Sequence, residues 1–147
     1  MKTLAIMIGL QGSGKSEFCR RFLTPDYVHI SLDELHTRNK EALAIEACIR
    51  AGQSMVIDNT NPTRAERQRY IALAKENGYR VVGYFVESKL RSCIARNNLR
   101  TGKARIPAKA IAATSNKLEI PQYEEGFDAL YFVHNENNEM YAEAWKR

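Results

Sequence analysis

The sequence has little of what marks several protein classes. It holds three cysteines, four prolines and one tryptophan in 147 residues. Cys19, Cys48 and Cys93 are odd in number, far apart and without histidines at metal-ligand spacing. Neither a disulfide framework nor a zinc site is expected from them, and they read as reduced thiols of a cytoplasmic protein. No repeat or Pro/Gly/Ser-rich tract interrupts the chain, so one domain over residues 1–147 is expected. The longest apolar run, Leu4 to Ile8, is strand-sized and well short of the roughly 18 residues of a membrane span. A secretory signal pattern is absent too. What is present is ordinary globular composition, 44% hydrophobic and 27% charged, which excludes disorder and low-complexity structure.

Charge is unevenly spread. Residues 1–60 carry seven basic and seven acidic side chains, residues 61–117 carry 13 against 3, and residues 118–147 carry 2 against 7. A basic middle segment in a chain of net charge +5 suits an anionic ligand, although lysines and arginines also simply solvate helices.

Apolar runs alternate with helical patterns. Strands are expected at Lys2 to Gly9, Tyr27 to Ile30, Ser54 to Asp58, Tyr79 to Val86 and Ala129 to Val133. Between them, helices are expected from about Gly14 to Leu23 and from about Asn39 to Ala51, the latter with Ala42, Ile45 and Ile49 on one face. Asn61 reads as an N-cap with Pro62 opening a helix that runs to Asn77-Gly78. Ser88 can cap a helix to about Leu99, Pro107 can open another, and a short polar helix is expected from about Glu139. The alternation predicts an α/β fold with a parallel sheet covered on both faces.

Between the first strand and first helix stands Gly9-Leu10-Gln11-Gly12-Ser13-Gly14-Lys15-Ser16, which fits the phosphate-binding P-loop pattern in full. Glycines let backbone N–H groups approach phosphate oxygens, and the following helix points its positive end at them. Gly9, Gln11, Gly12, Ser13 and Gly14 are the expected cradle for ATP. Lys15 is expected to reach the β- and γ-phosphates, and Ser16 to ligate Mg²⁺. Asp58 closes the third strand as a Walker-B carboxylate does, so Asp58 with Ser16 is the expected Mg²⁺ pair. Asp33 falls three residues past the second strand, at the ligand-binding end of the sheet, and is a candidate general base for an acceptor hydroxyl. Arg91, Arg96, Arg100 and Arg105 cluster after the fourth strand, and Arg96 and Arg100 are four apart, as on one helix face. A lid at about residues 96–110 carrying such arginines would stabilise charge on a transferring phosphoryl group. The three histidines show no catalytic spacing, and His29, inside a strand, reads as structural.

Taken together, the P-loop, the aspartate after the second strand, Val56-Ile57-Asp58-Asn59-Thr60-Asn61-Pro62 and Arg96-Asn97-Asn98-x-Arg100 resemble the kinase domain of 5′-hydroxyl polynucleotide kinases. These are P-loop kinases, near adenylate kinase and gluconate kinase, and the likeness runs from Leu4 to about Val133. The resemblance implies a three-layer α/β/α P-loop NTPase fold with five parallel strands in order 2-3-1-4-5. It implies transfer of the ATP γ-phosphate to a 5′-hydroxyl end of DNA or RNA, with Asp33 as base and with Arg100 and Arg96 on the transferring group. The Asn59 and Thr60 turn would lie near metal and acceptor. Two departures concern the acceptor. His36 stands where phage-type members have an arginine for the acceptor's phosphate, with Arg38 the nearest arginine, and Ser31-Leu32-Asp33 replaces the usual Asn-Arg-Asp. A small-metabolite or nucleoside kinase of the same fold, or a nucleotide-binding ATPase or toxin-like module without a nucleic-acid acceptor, remain open alternatives.

Overall fold

Residues 1–102, 105–137 and 139–146 are described by the computed structural model. Its strands are β1 (Thr3–Ile8), β2 (Val28–Ile30), β3 (Met55–Ile57), β4 (Arg80–Val86), β5 (Ala129–Glu136) and β6 (Glu139–Ala144). They form one sheet in the order β2-β3-β1-β4-β5-β6. The first five are parallel, and β6 runs antiparallel to β5. The helices are α1 (Lys15–Phe18), α2 (Leu32–Leu35), α3 (Arg38–Ala51), α4 (Arg64–Glu76), α5 (Leu90–Asn98) and α6 (Ala108–Lys117). None is long and apolar enough to cross a membrane.

The two faces of β1 explain the layers. Leu4, Ile6 and Ile8 pack with Ile45 and Cys48 of α3 and with Tyr70, Ile71 and Ala74 of α4. Ala5 and Met7 point the other way, to Phe18, Cys19 and Leu23. All six residues of β1 are buried, which is why it reads as a continuous apolar run. A third cluster, Leu10, Cys93 and Ile111, seats α5 and α6 against the loop that follows β1. The chain leaves β1 for β2 on one side and later returns to β4 on the other. The carboxyl end of β1 is therefore a switch point, where ligands bind in such sheets.

Several expectations need correction. The sheet has a sixth strand, and the segment from Glu139 is not a helix. Glu136 pairs with Glu139 across the turn, and Asn137 adopts φ 53°, which Asn tolerates. Met140, Ala142 and Ala144 then alternate with Tyr141 and Glu143, a strand period. The first helix gives way after Phe18 to a π-helical turn, Cys19–Leu23, in which Thr24 N–H donates to the Cys19 carbonyl at 2.9 Å. Asn61 is not the N-cap of α4. Its φ is 45°, and its amide donates to the Met7 carbonyl at 2.7 Å. Thr63 caps α4 instead, in a capping box with Glu66. Ser88 does not cap α5. Its hydroxyl donates to the Val86 carbonyl at 2.8 Å and accepts from Leu10 N–H at 3.0 Å. In α3 the buried face is Glu41, Ile45 and Cys48, while Ala42 is exposed and Ile49 half-buried. A carboxylate takes the place expected of an apolar residue.

Candidate active site

The loop from Gly9 to Ser16 leaves the buried end of β1 and enters α1. Gly12 and Gly14 have φ of 80° and 101°, in the left-handed region. A Cβ at Gly12 would also lie 2.5 Å from the Cys93 carbonyl oxygen, so glycine is required there twice over. The loop is braced from outside: Gly9 N–H donates to the Thr60 carbonyl at 3.1 Å, and the Gln11 amide donates to Thr114 of α6 at 3.2 Å. Lys15 is buried, with Nζ donating to the Leu10 carbonyl at 2.8 Å. Burial pulls its pKa down from 10.5 to about 8; the charges of Asp58 and Asp33 oppose that shift and the charge of Arg100 adds to it. Lys15 thus feels three of the side chains that the sequence places at the site.

Asp58, directly after β3, is the hub. The Ser16 hydroxyl donates to its Oδ2 at 2.7 Å, and His29 Nε2 lies 2.7 Å from the same oxygen. The other ring nitrogen of His29 is 2.7 Å from Glu34 Oε1. Burial raises the carboxyl pKa of Asp58, but the hydrogen bonds from His29 and Ser16 and the nearby Lys15 charge outweigh it, and the net shift is downward. His29 is raised, first by its hydrogen bond to Asp58. Asp58 Oδ1, Ser13 Oγ and Gln11 Oε1 are buried and have no hydrogen-bond partner among the described residues. Buried polar atoms normally have partners. A loop lined by such atoms fits a ligand that brings its own polar groups, and Ser16 Oγ with Asp58 Oδ1 is an all-oxygen pair suited to Mg²⁺.

On the side of β2, Asn59 joins three elements. Its Oδ1 accepts from Leu32 N–H at 2.9 Å, and its Nδ2 donates to Glu41 Oε2 at 2.8 Å. Glu41 Oε1 in turn accepts from Tyr70 OH at 2.9 Å and from Arg38 at 3.2 Å. Asn59 thereby fixes the start of α2, whose second residue is the exposed Asp33. His36 is exposed at the end of α2 with φ 70°. Arg38 is held at Glu41 and Tyr70. Thr60 contributes its carbonyl to Gly9.

The arginines part company. Arg96 Nη1 donates to the carbonyls of Gly12 and Ser13 at 3.1 and 3.2 Å. Helix α5 ends at Asn98, so Arg100 lies beyond it and does not share a helix face with Arg96 as the spacing predicts. Asn97, fully buried, accepts from Ile106 N–H at 2.8 Å and donates back to the Ile106 carbonyl, closing the base of the segment between them. Of the expected lid, residues 103 and 104 lie outside the described residues.

Residues 39–121, more than half of the chain, match the AAA domain. The chain belongs to the AAA domain family. Two of its curated relatives are kinases by name. A protein of Acanthamoeba polyphaga mimivirus, provisionally named bifunctional polynucleotide phosphatase/kinase, is 37% identical over 139 residues, covering 90% of this chain and 33% of that protein. The bifunctional polynucleotide phosphatase/kinase of Schizosaccharomyces pombe is 26% identical, over 97% of this chain and 36% of that protein. The chain thus spans about a third of the length of these relatives. Among solved structures, Chaetomium thermophilum Kti12 in complex with ADP-AlF3 superimposes with a TM-score of 0.68 at 18% identity, covering 89% of this chain and 88% of that one. The fold is shared with a gluconokinase from Sinorhizobium meliloti 1021, at a TM-score of 0.60 and 19% identity over 90% of this chain and 82% of that one, and in sequence the chain is similar to polynucleotide phosphatase/kinases over most of its length.

Sequence reasoning missed His29, Glu41 and the closing role of Asn97. His29 carried one signal: a polar residue in a short strand beside the strand that ends in Asp58. Glu41 carried another, four residues before the buried Ile45 on one helix face.

Proposed function

We propose that this chain transfers the γ-phosphate of ATP to a 5′-hydroxyl end of a polynucleotide. The observation that carries the reading is the meeting of Lys15, Ser16 and Asp58 at the switch point, with Asp33 on a helix pinned to the neighbouring Asn59. The 37% identity to the mimivirus protein supports a nucleic-acid acceptor over a small one, and so does the basic middle segment. In this reading the loop amides and Lys15 hold the phosphates. Ser16 and Asp58 hold Mg²⁺, which would neutralise phosphate charge when bound. Asp33 accepts the proton of the attacking hydroxyl, and Arg100 balances charge that builds on the transferring group.

The test is γ-labelled ATP with a 5′-hydroxyl oligonucleotide at two salt concentrations. Label should appear on the oligonucleotide and fall steeply with salt. Lys15→Ala should abolish transfer and weaken ATP binding. Asp33→Asn should cut transfer strongly with ATP affinity nearly intact. Label released only as phosphate, or found only on a small acceptor, removes the polynucleotide reading.

A further inference from the structure

Sequence spacing sets Cys19 apart from every histidine, but the fold does not. The Cys19 thiol, a ring nitrogen of His29 and a carboxylate oxygen of Asp58 lie within 4.8 Å of one another. They come from three elements: the turn after α1, strand β2 and the end of β3. Cys19 packs with Val56 of β3, and β2 pairs His29 with that same Val56.

Three observations point to a ligand here. The donor set is sulfur, nitrogen and oxygen, which suits zinc and is foreign to magnesium. Next, His29 is already oriented. Its Nδ1 rests on Glu34 Oε1 at 2.7 Å, which leaves Nε2 turned to Asp58, the carboxylate–histidine arrangement that backs metal ligands. Finally, the Asp58 side chain is 1% exposed and its Oδ1 has no partner among the described residues, which leaves it open to either cation, magnesium with Ser16 or a softer one with Cys19 and His29.

We propose that Cys19, His29 and Asp58 form a binding site for a thiophilic divalent cation, zinc foremost, with Glu34 supporting His29 from behind. Binding breaks the S–H bond of Cys19 and the N–H bond at His29 Nε2. Metal–sulfur and metal–nitrogen bonds replace them, both protons leave to solvent, and nothing is oxidised or reduced. Two protons leave for one dication, so the net charge of the pocket does not change. The His29 side chain, 24% exposed, gives the cation its way in, with Cys19 and Asp58 behind it. Both cations would draw on the one carboxylate of Asp58 and repel each other there, so zinc occupancy opposes Mg²⁺ at Ser16 and inhibits chemistry at the loop. The site itself is independent of which acceptor the protein uses.

The experiment is a Co²⁺ titration of the reduced, nucleotide-free protein followed by absorption spectroscopy, which reads binding and not turnover. A sulfur-to-cobalt charge-transfer band and the visible bands of a four-coordinate site should appear, and equimolar Zn²⁺ should erase them. Cys19→Ser should lose the charge-transfer band, His29→Gln should bind at least tenfold more weakly, and Cys48→Ser should behave as wild type. X-ray absorption on zinc-loaded wild type supplies a readout that needs no variant to fold: one sulfur neighbour is expected. An absent band, a band that survives Cys19→Ser, or a zinc shell of nitrogen and oxygen only overturns the proposal.

Discussion

Arg96 braces the loop backbone: its Nη1 donates to the carbonyl of Gly12 at 3.1 Å, while the carbonyl oxygen of Cys93, one helical turn earlier, lies 2.5 Å from where a Cβ on Gly12 would be. Helix α5 therefore holds the loop at its backbone, through the Arg96 side chain and the close approach of Cys93. Arg96 and Arg100, grouped by sequence, should separate in kinetics. Arg96→Ala should raise KM for ATP about tenfold, roughly 1.4 kcal/mol, because the loop loses a brace before any chemistry occurs. Arg100→Ala should lower kcat more than it raises that KM. Steady-state rates over a range of ATP concentrations check both, and equal effects of the two variants would erase the distinction.

Asn97 is a staple. Its amide satisfies both backbone groups of Ile106, so the intervening segment closes on a fixed base. Asn97→Leu leaves those two groups unpaired beside a buried side chain and should cost about 1–3 kcal/mol. Asn97→Asp keeps the acceptor for Ile106 N–H but sets a second carboxylate oxygen against the Ile106 carbonyl, so it should not rescue. Urea denaturation gives the stability loss. Trypsin cleavage between residues 98 and 106 should speed up in both variants relative to cleavage elsewhere.

The parallel sheet and the loop were legible because each rests on local pattern, while the order of the first five strands came only from the family resemblance. β1 is apolar throughout because both its faces are covered, and Gly12 and Gly14 stand where the backbone needs positive φ. What escaped is what depends on contacts distant in sequence. Asn61 looks like a cap beside Pro62, yet its amide is used 54 positions away at Met7. Glu41 looks solvent-facing until Asn59, Tyr70 and Arg38 surround it. The strand β6 was hidden for another reason: Met140-Tyr141-Ala142-Glu143-Ala144 suits helix by propensity, and only pairing along β5 decides for strand. At the site, Lys15, Ser16 and Asp58 came from motif spacing, whereas His29 enters through the side-by-side pairing of β2 and β3.

Arg67 and Glu125 form an ion pair with no exposure on either side chain, at 2.8 Å, and Arg67 also donates to the Asn61 carbonyl at 3.0 Å. This pair ties α4 to the turn before β5 and, through Asn61, to the end of β1. Removing one partner strands a buried charge. Glu125→Leu or Arg67→Met alone should cost about 3–5 kcal/mol. The double variant Arg67→Met/Glu125→Leu should recover most of that loss, falling short by the hydrogen bonds to the Asn61 carbonyl and from Gln122 N–H. Chemical denaturation of the three variants closes the cycle.

Lys15 makes nucleotide binding depend on pH in a direction that can be worked out. With its pKa pulled down to about 8 by burial, the amine is protonated below that pH and neutral above it in the free protein. Bound phosphates favour the charged form and move the pKa back up. Between the two values the complex carries a proton that the free protein lacks, so binding takes up a proton and affinity falls as pH rises through about 8. Folding stability responds oppositely. The unfolded amine, at its ordinary 10.5, binds more protons than the folded one across the same window, so this group's contribution to stability increases from about pH 8 toward 10.5. Calorimetry of ATP binding in two buffers of different ionisation enthalpy at about pH 8.5 should show uptake of up to roughly three-quarters of a proton, and almost none at about pH 6.5. Lys15→Arg keeps a fixed positive charge and should show no uptake at either pH. Uptake that persists in Lys15→Arg would assign the proton to another group.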